Sequence, residues 1–103
     1  MNKVKVLVVM PKSTFVRVSR PNDVEYLKSF ADVSACIFDE HPSEQYLIEL
    51  IKDVDGCITS WGSPRITERL LEHAKKLKII GHAAGSVKPY ICKQVFEKGI
   101  IVV

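Results

Sequence analysis

Val4-Lys5-Val6-Leu7-Val8-Val9-Met10 is nearly continuous in apolar, mostly β-branched residues. A run this short and this uniform is the pattern of a strand buried on both faces, as a central strand of a parallel sheet is. Outward from it, short β-branched runs alternate with longer amphipathic stretches, divided by Pro, Gly, Asp and Ser. A helix is expected from about Asn22 to Phe30, with Pro21 and Asn22 near its start and Val24, Leu27 and Phe30 on one face. Val33–Phe38 reads as a second strand, less apolar and interrupted by Ser34, hence an edge. Ser43 caps a second helix carrying Tyr46, Leu47, Leu50 and Ile51. Asp55–Thr59 is the third strand, broken by Ser60-Trp61-Gly62-Ser63-Pro64. Thr67 caps a third helix containing Leu70, Leu71 and Ala74. Lys78–Ala83 is the fourth strand, Pro89–Lys98 the fourth helix, Gly99 its stop and Ile100–Val103 the fifth strand.

Five strands and four helices in alternation imply right-handed crossovers. The expected fold is an α/β three-layer sandwich with a parallel sheet in the flavodoxin-like order 2-1-3-4-5. Crossover handedness then puts the first helix on one face and the other three on the opposite one. A fifth helix would join the first. Without it, strands three to five keep a bare strip, an expected site of self-association or of docking by a helix from elsewhere.

The chain has 103 residues, 47% hydrophobic and 26% charged, which fits one domain and is too short for a cofactor domain plus a substrate domain. A net charge of +3, scattered along the chain, predicts no nucleic-acid or membrane partner. Lys75, Lys76 and Lys78 form the longest basic cluster, at an expected helix end where cations suit the dipole. Cys36, Cys57 and Cys92 form no CxxC pair and suggest neither disulfides nor zinc; a reducing cytoplasm is the expected location. No signal-peptide pattern follows Met1-Asn2-Lys3, and no apolar stretch approaches the ~20 residues of a membrane span.

Ligands of open α/β sheets sit at the carboxyl ends of the strands near the switch in strand order. Three segments meet that description: Pro11-Lys12-Ser13-Thr14, Ser60-Trp61-Gly62-Ser63, and Ala84-Gly85-Ser86-Val87-Lys88. Hydroxyls, glycines and two lysines without a carboxylate favour a small anion held by backbone N–H groups. Taken singly, Thr14, Ser60 and Ser63 read more simply as turn formers. Trp61 either lines a pocket or anchors its loop. His82 reads as a structural histidine, His41 and His73 as surface residues, and Cys57 and Cys92 as small buried residues of a strand and a helix. No acidic cluster for Mg²⁺ flanks strands one and three, which excludes a phosphoacceptor domain. Lys12-Ser13-Thr14 is a faint match to a flavin phosphate loop, and neither GxGxxG nor GxxxxGK[ST] occurs.

Leu77-Lys78-Ile79-Ile80-Gly81-His82-Ala83-Ala84-Gly85-Ser86-Val87-Lys88-Pro89, Val95–Val103 and Asp53–Thr59 together resemble the N-terminal part of the D-isomer-specific 2-hydroxyacid dehydrogenases. The likeness runs along essentially the whole chain. It implies a substrate domain whose Ala84, Gly85 and Ser86 offer backbone N–H groups to a substrate carboxylate, with Lys12, Trp61 and Gly62 lining the cleft. Lys88-Pro89 departs from the polar pair many members carry after this loop. The family's catalytic arginine, glutamate and histidine and its cofactor loop match no residue here. The resemblance thus implies a parent enzyme using NAD(H) on a small 2-hydroxy or 2-oxo acid, and a chain that binds no cofactor and is inactive by itself. The alternative is a free-standing flavodoxin-like binding or interaction module.

Overall fold

The computed structural model describes residues 3–103. Its sheet has five parallel strands in the order β2-β1-β3-β4-β5. They are β1 (Val4–Pro11), β2 (Ala31–Phe38), β3 (Gly56–Thr59), β4 (Ile79–His82) and β5 (Ile101–Val102). The helices are α1 (Lys12–Val18), α2 (Pro21–Lys28), α3 (Glu44–Ile51), α4 (Glu68–His73) and α5 (Gln94–Glu97), with a 3-10 turn at Lys88–Tyr90. The expected order and the central place of β1 both hold.

Strand periodicity divides the sheet into two faces. Leu7, Cys57, Ile80 and Val102 form one row across it, joined by Val9, Cys36 and Phe38. This row packs on Leu47, Ile48 and Ile51 of α3, Leu70 and Leu71 of α4 and Val95 of α5, and these residues make the core. Ser43 and Thr67 cap α3 and α4 as expected, accepting from the N–H groups of Tyr46 and Leu70 at 3.2 and 3.1 Å. Thr67 also donates to Glu44 Oε2 at 2.8 Å, which fixes the two helix starts together.

The opposite face is covered only in part. α1 and α2 sit over β1 and β2, and between them and the sheet runs an apolar groove of about 400 Å³ lined by Val8, Met10, Phe15, Val24, Leu27 and Phe30, among others. Past it, register aligns Val6, Gly56, Ile79 and Ile101 in one row and Val8, Ile58 and Gly81 in the next. Ile79, Ile101 and Val103 are 40%, 60% and 70% exposed, so the bare strip is present along β4 and β5 but not on β3, where Gly56 is buried and Ile58 half-buried.

Several expectations need correction. Residues 12–14 are not a loop: α1 begins directly after β1 with Pro11 as its N-cap. It was hidden because its cap has no side-chain acceptor and its β-branched residues read poorly as helix. The chain therefore has five α-helices, and the helix expected at 22–30 is the second, Pro21–Lys28. The helix expected at 89–98 is broken in two. Ile91 is extended, buried and bridged to Ile66, while the Ile66 N–H donates to the Tyr90 carbonyl at 2.7 Å. Burying Ile91 beside Ile66 outweighs continuing the helix through it, so half-buried Cys92 lies outside any helix. Strand ends shift by one or two residues, and Ala74 is the cap of α4 rather than part of it.

Candidate functional site

The carboxyl ends of β1, β3 and β4 meet at one rim, and the hydroxyl groups there are spent on bracing it. Asp55 N–H donates to the Lys5 carbonyl at 2.8 Å, so by alternation Lys5, Leu7 and Val9 turn their carbonyls toward β3. The β1–β3 pairing ends at Val8 and Ile58, where the chain turns away after Thr59. Ser63 fills the gap: its Oγ donates to the Val9 carbonyl at 2.7 Å and accepts from the Ser60 N–H at 2.9 Å. Ser60 Oγ donates to the Ala83 carbonyl at 2.7 Å, and Ala83 N–H to the Thr59 carbonyl at 2.8 Å. Thr14 of α1 donates to the Trp61 carbonyl at 2.7 Å. Thr14, Ser60 and Ser63 are all buried; Ser60 and Ser63 form a turn as expected, whereas Thr14 is a helix residue of α1 and braces the turn from outside.

Gly62 shows why this turn takes a glycine. Its φ is +81°, and a Cβ there would lie 2.7 Å from Cγ of Pro11. The turn after β3 is thus pressed against the β1–α1 junction. On its other side the Gly62 N–H donates to the Tyr90 hydroxyl at 3.1 Å, which ties it to the segment after β4. Arg65 adds a bond to the Pro89 carbonyl at 3.2 Å. Trp61 is 48% exposed, with the Arg17 guanidinium 5.7 Å from its ring centroid.

The rim therefore brings together Lys12, Trp61 and Gly62, and Tyr90 joins them to the Ala84–Val87 loop. Lys12, Gly85 and Ser86 are exposed and Ala84 is half-buried. Among the described residues, nothing accepts from the N–H groups of Ala84, Gly85 or Ser86; the Ser86 hydroxyl accepts from Lys88 N–H at 3.3 Å. Lys12, Arg17, Arg65 and Lys88 make the surroundings cationic. Tyr90, Thr59, Arg17 and Arg65 were not singled out in the sequence. Tyr90 was hidden inside an expected helix, and nothing local in sequence signals the other three.

His82, at the end of β4, places Nδ1 2.8 Å from Thr59 Oγ1 and lays its ring against Tyr90, centroids 4.7 Å apart. Burial lowers its pKa from the usual value, while the nearby Ser86 backbone acts the other way. His41 and His73 are exposed. Burial pushes the Cys57 thiol up to about 12 and raises that of Cys36, which leaves both unreactive. Among the described residues, no group of three or more His, Cys, Asp or Glu side chains is placed to hold a metal, and no helix is long and apolar enough to cross a membrane.

Known proteins share this fold. Residues 8–103 match the family described as D-isomer specific 2-hydroxyacid dehydrogenase, catalytic domain. A D-3-phosphoglycerate dehydrogenase of Methanocaldococcus jannaschii is 39% identical over 61 residues, which cover 59% of this chain and 12% of that protein. A crystal structure of a Pyrococcus horikoshii protein superposes with a TM-score of 0.76 at 30% identity, covering 97% of this chain and 27% of that one. An Entamoeba histolytica 3-phosphoglycerate dehydrogenase, solved with NAD⁺ bound, gives 0.68 at 27% identity, covering 97% of this chain and 32% of that one. The chain thus spans about a third or less of the length of these relatives. Sheet order, rim and sequence match agree that the chain belongs to the D-isomer specific 2-hydroxyacid dehydrogenase family, within its catalytic domain.

Proposed function

We propose that this chain is the substrate-binding portion of an NAD-dependent D-2-hydroxyacid dehydrogenase, and that its rim holds the substrate carboxylate. One observation carries the reading: the N–H groups of Ala84, Gly85 and Ser86 have no acceptor among the described residues, in a loop at the carboxyl end of β4. Three such donors in sequence suit a carboxylate, and Lys12 adds positive charge from the start of α1. Trp61 and Gly62 form the neighbouring wall. The parent reaction moves a hydride between nicotinamide and C2 of a 2-hydroxy or 2-oxo acid. This chain's share is to bind and orient the acid.

The residues present do not fit a dinucleotide. The turn after β1 is Pro11-Lys12-Ser13-Thr14, without the glycines that let a backbone approach a pyrophosphate, and no other strand is followed by GxGxxG. NAD(H) is therefore assigned to the parent and no step is assigned to it here. We propose further that a second copy closes the bare apolar strip in solution, since its exposed residues are uncharged.

Titrating ¹⁵N-labelled chain with glyoxylate tests the binding reading. The amides of Ala84, Gly85 and Ser86 should shift together, while unmoved amides at tens of millimolar would refute it. The purified chain should not oxidise NADH with glyoxylate or hydroxypyruvate; turnover would contradict the division of labour.

A further inference from the structure

Resting on the binding reading above, we propose that His82 is the positioning residue of the Ala84–Ser86 loop, acting through an Nε2–H donor that its neighbours lock in place toward the loop backbone. Three observations carry this. First, the ring cannot swing: Nδ1 is held by Thr59 Oγ1 at 2.8 Å, and one ring face lies on Tyr90 with centroids 4.7 Å apart. Tyr90 is itself fixed, since its hydroxyl accepts from the Gly62 N–H at 3.1 Å and its own N–H donates to the Val87 carbonyl at 2.9 Å.

Second, the hydrogen-bond inventory assigns the tautomer. Thr59 is 1% exposed and, among the described residues, its hydroxyl has no partner but Nδ1. With the proton on Nδ1, the Thr59 hydroxyl would accept and its own hydrogen would be stranded, as would the Nε2 lone pair. With the proton on Nε2, Thr59 donates to Nδ1 and a single group, Nε2–H, is left to place. Stranding one buried group is less costly than stranding two.

Third, that remaining group is buried and, among the described residues, makes no hydrogen bond within ordinary geometry. The Ser86 backbone is near enough to the ring to act against the lowering of its pKa, which makes it the acceptor at hand for this group. A short adjustment of the Ala84–Ser86 segment toward the ring supplies the missing acceptor from the Ser86 carbonyl. Holding the Ser86 carbonyl fixes the peptide plane between Ser86 and Val87, which anchors the end of the loop and restricts how far the N–H groups of Ala84, Gly85 and Ser86 can turn away. His82 thus links the ends of β3 and β4 to the carboxylate loop without touching the substrate.

Three substitutions separate this role from a merely structural one. His82→Gln offers an amide donor near the position of Nε2, His82→Asn one near Nδ1, and His82→Phe keeps the stack on Tyr90 with neither. The measurements are the glyoxylate affinity and the exchange rates of the amides of residues 84–86. Phe and Asn should weaken glyoxylate binding about tenfold and speed loop exchange, and Gln should restore most of both. Rescue by Asn but not Gln would overturn the proposal, because it would place the whole role in the Thr59 contact. So would Phe binding as the wild type does. Ring ¹⁵N shifts of the unsubstituted chain give an independent reading at neutral pH: the Nε2–H form is expected, and the Nδ1–H form would refute the assignment even if no variant folds. Should the unsubstituted chain not bind glyoxylate at all, the binding reading fails, while loop exchange and ring tautomer still decide the role of His82.

Discussion

Ser63→Ala is the sharpest test of how the rim is held. The substitution removes one hydroxyl and adds no bulk, yet that hydroxyl serves two backbone groups where the β1–β3 pairing ends. It donates to the Val9 carbonyl at 2.7 Å and accepts from the Ser60 N–H at 2.9 Å. Val9, Ser60 and Ser63 are 4%, 0% and 4% exposed, so bulk water does not reach the freed groups. Each buried group left unsatisfied costs about 1–3 kcal/mol, which puts the combined loss of the two at about 2–6 kcal/mol. A domain of this size is stable by roughly 5–15 kcal/mol, so the variant folds but at a visible disadvantage. At about 4–8 °C per kcal/mol, even the lower end of that loss should bring Tm down by roughly 8–16 °C. The urea midpoint should fall by at least roughly 0.7 M with an unchanged slope. Exposed Ser13→Ala is the control, expected within about 0.5 kcal/mol of the wild type. A Ser63→Ala midpoint within about 0.3 M of the wild type would show that the bridge between Val9 and Ser60 contributes nothing, and the account of the rim would fall with it.

Gly62→Ala should cost about 2–4 kcal/mol, from a strained φ of +81° and a methyl placed 2.7 Å from Pro11, whereas Gly85→Ala, with nothing within 4 Å of the new methyl, should change urea stability by less than about 0.5 kcal/mol. His82 has a lowered pKa in the folded chain, so the unfolded chain takes up the proton first as pH falls below about 6.5. Its contribution to stability is complete above that value and is lost as pH falls through the folded-state value; in urea titrations at a series of pH values, His82→Gln should lose less stability between pH ~7 and pH ~5 than the wild type, and equal losses would refute the linkage. Sedimentation at about 100 μM should show a dimer that Ile101→Lys converts to monomer, because the lysine enters an apolar strip that two copies bury; a wild-type monomer at that concentration would exclude self-association there.

The sheet was legible because its central strands are buried on both faces and advertise that burial directly, as Val6–Met10 and Gly56–Thr59 do. Ser43, Thr67 and Gly99 marked helix ends for equally local reasons, a side-chain acceptor at two starts and a φ of +75° at the stop. What escaped was decided by contacts distant in sequence. α1 has no cap signal and is held from outside, by Thr14 bonding to the turn after β3. Ile91 leaves the helical pattern because Ile66 pairs with it. At the rim, strand order alone located the three segments, whereas the use of each hydroxyl depends on where side chains point. Thus Lys12, Gly85 and Ser86 remain exposed while Thr14, Ser60 and Ser63 are consumed in holding the segments together.

The central position of β1 also bears on how the chain reaches this state. No two strands that pair are joined by a hairpin: Val4 pairs with Ala31, Val6 with Gly56, Gly56 with Ile79 and Ile79 with Ile101. Each pairing must close a loop containing at least one helix, and non-local closure of this kind slows folding. The β1–β3 closure is the longest, yet closure entropy grows only as the logarithm of loop length, so it costs less than 1 kcal/mol more than the others. With two residues and one neighbour, β5 is the strand least held by pairing, so hydrogen exchange is expected to show it released before the others, widening the bare strip beside it.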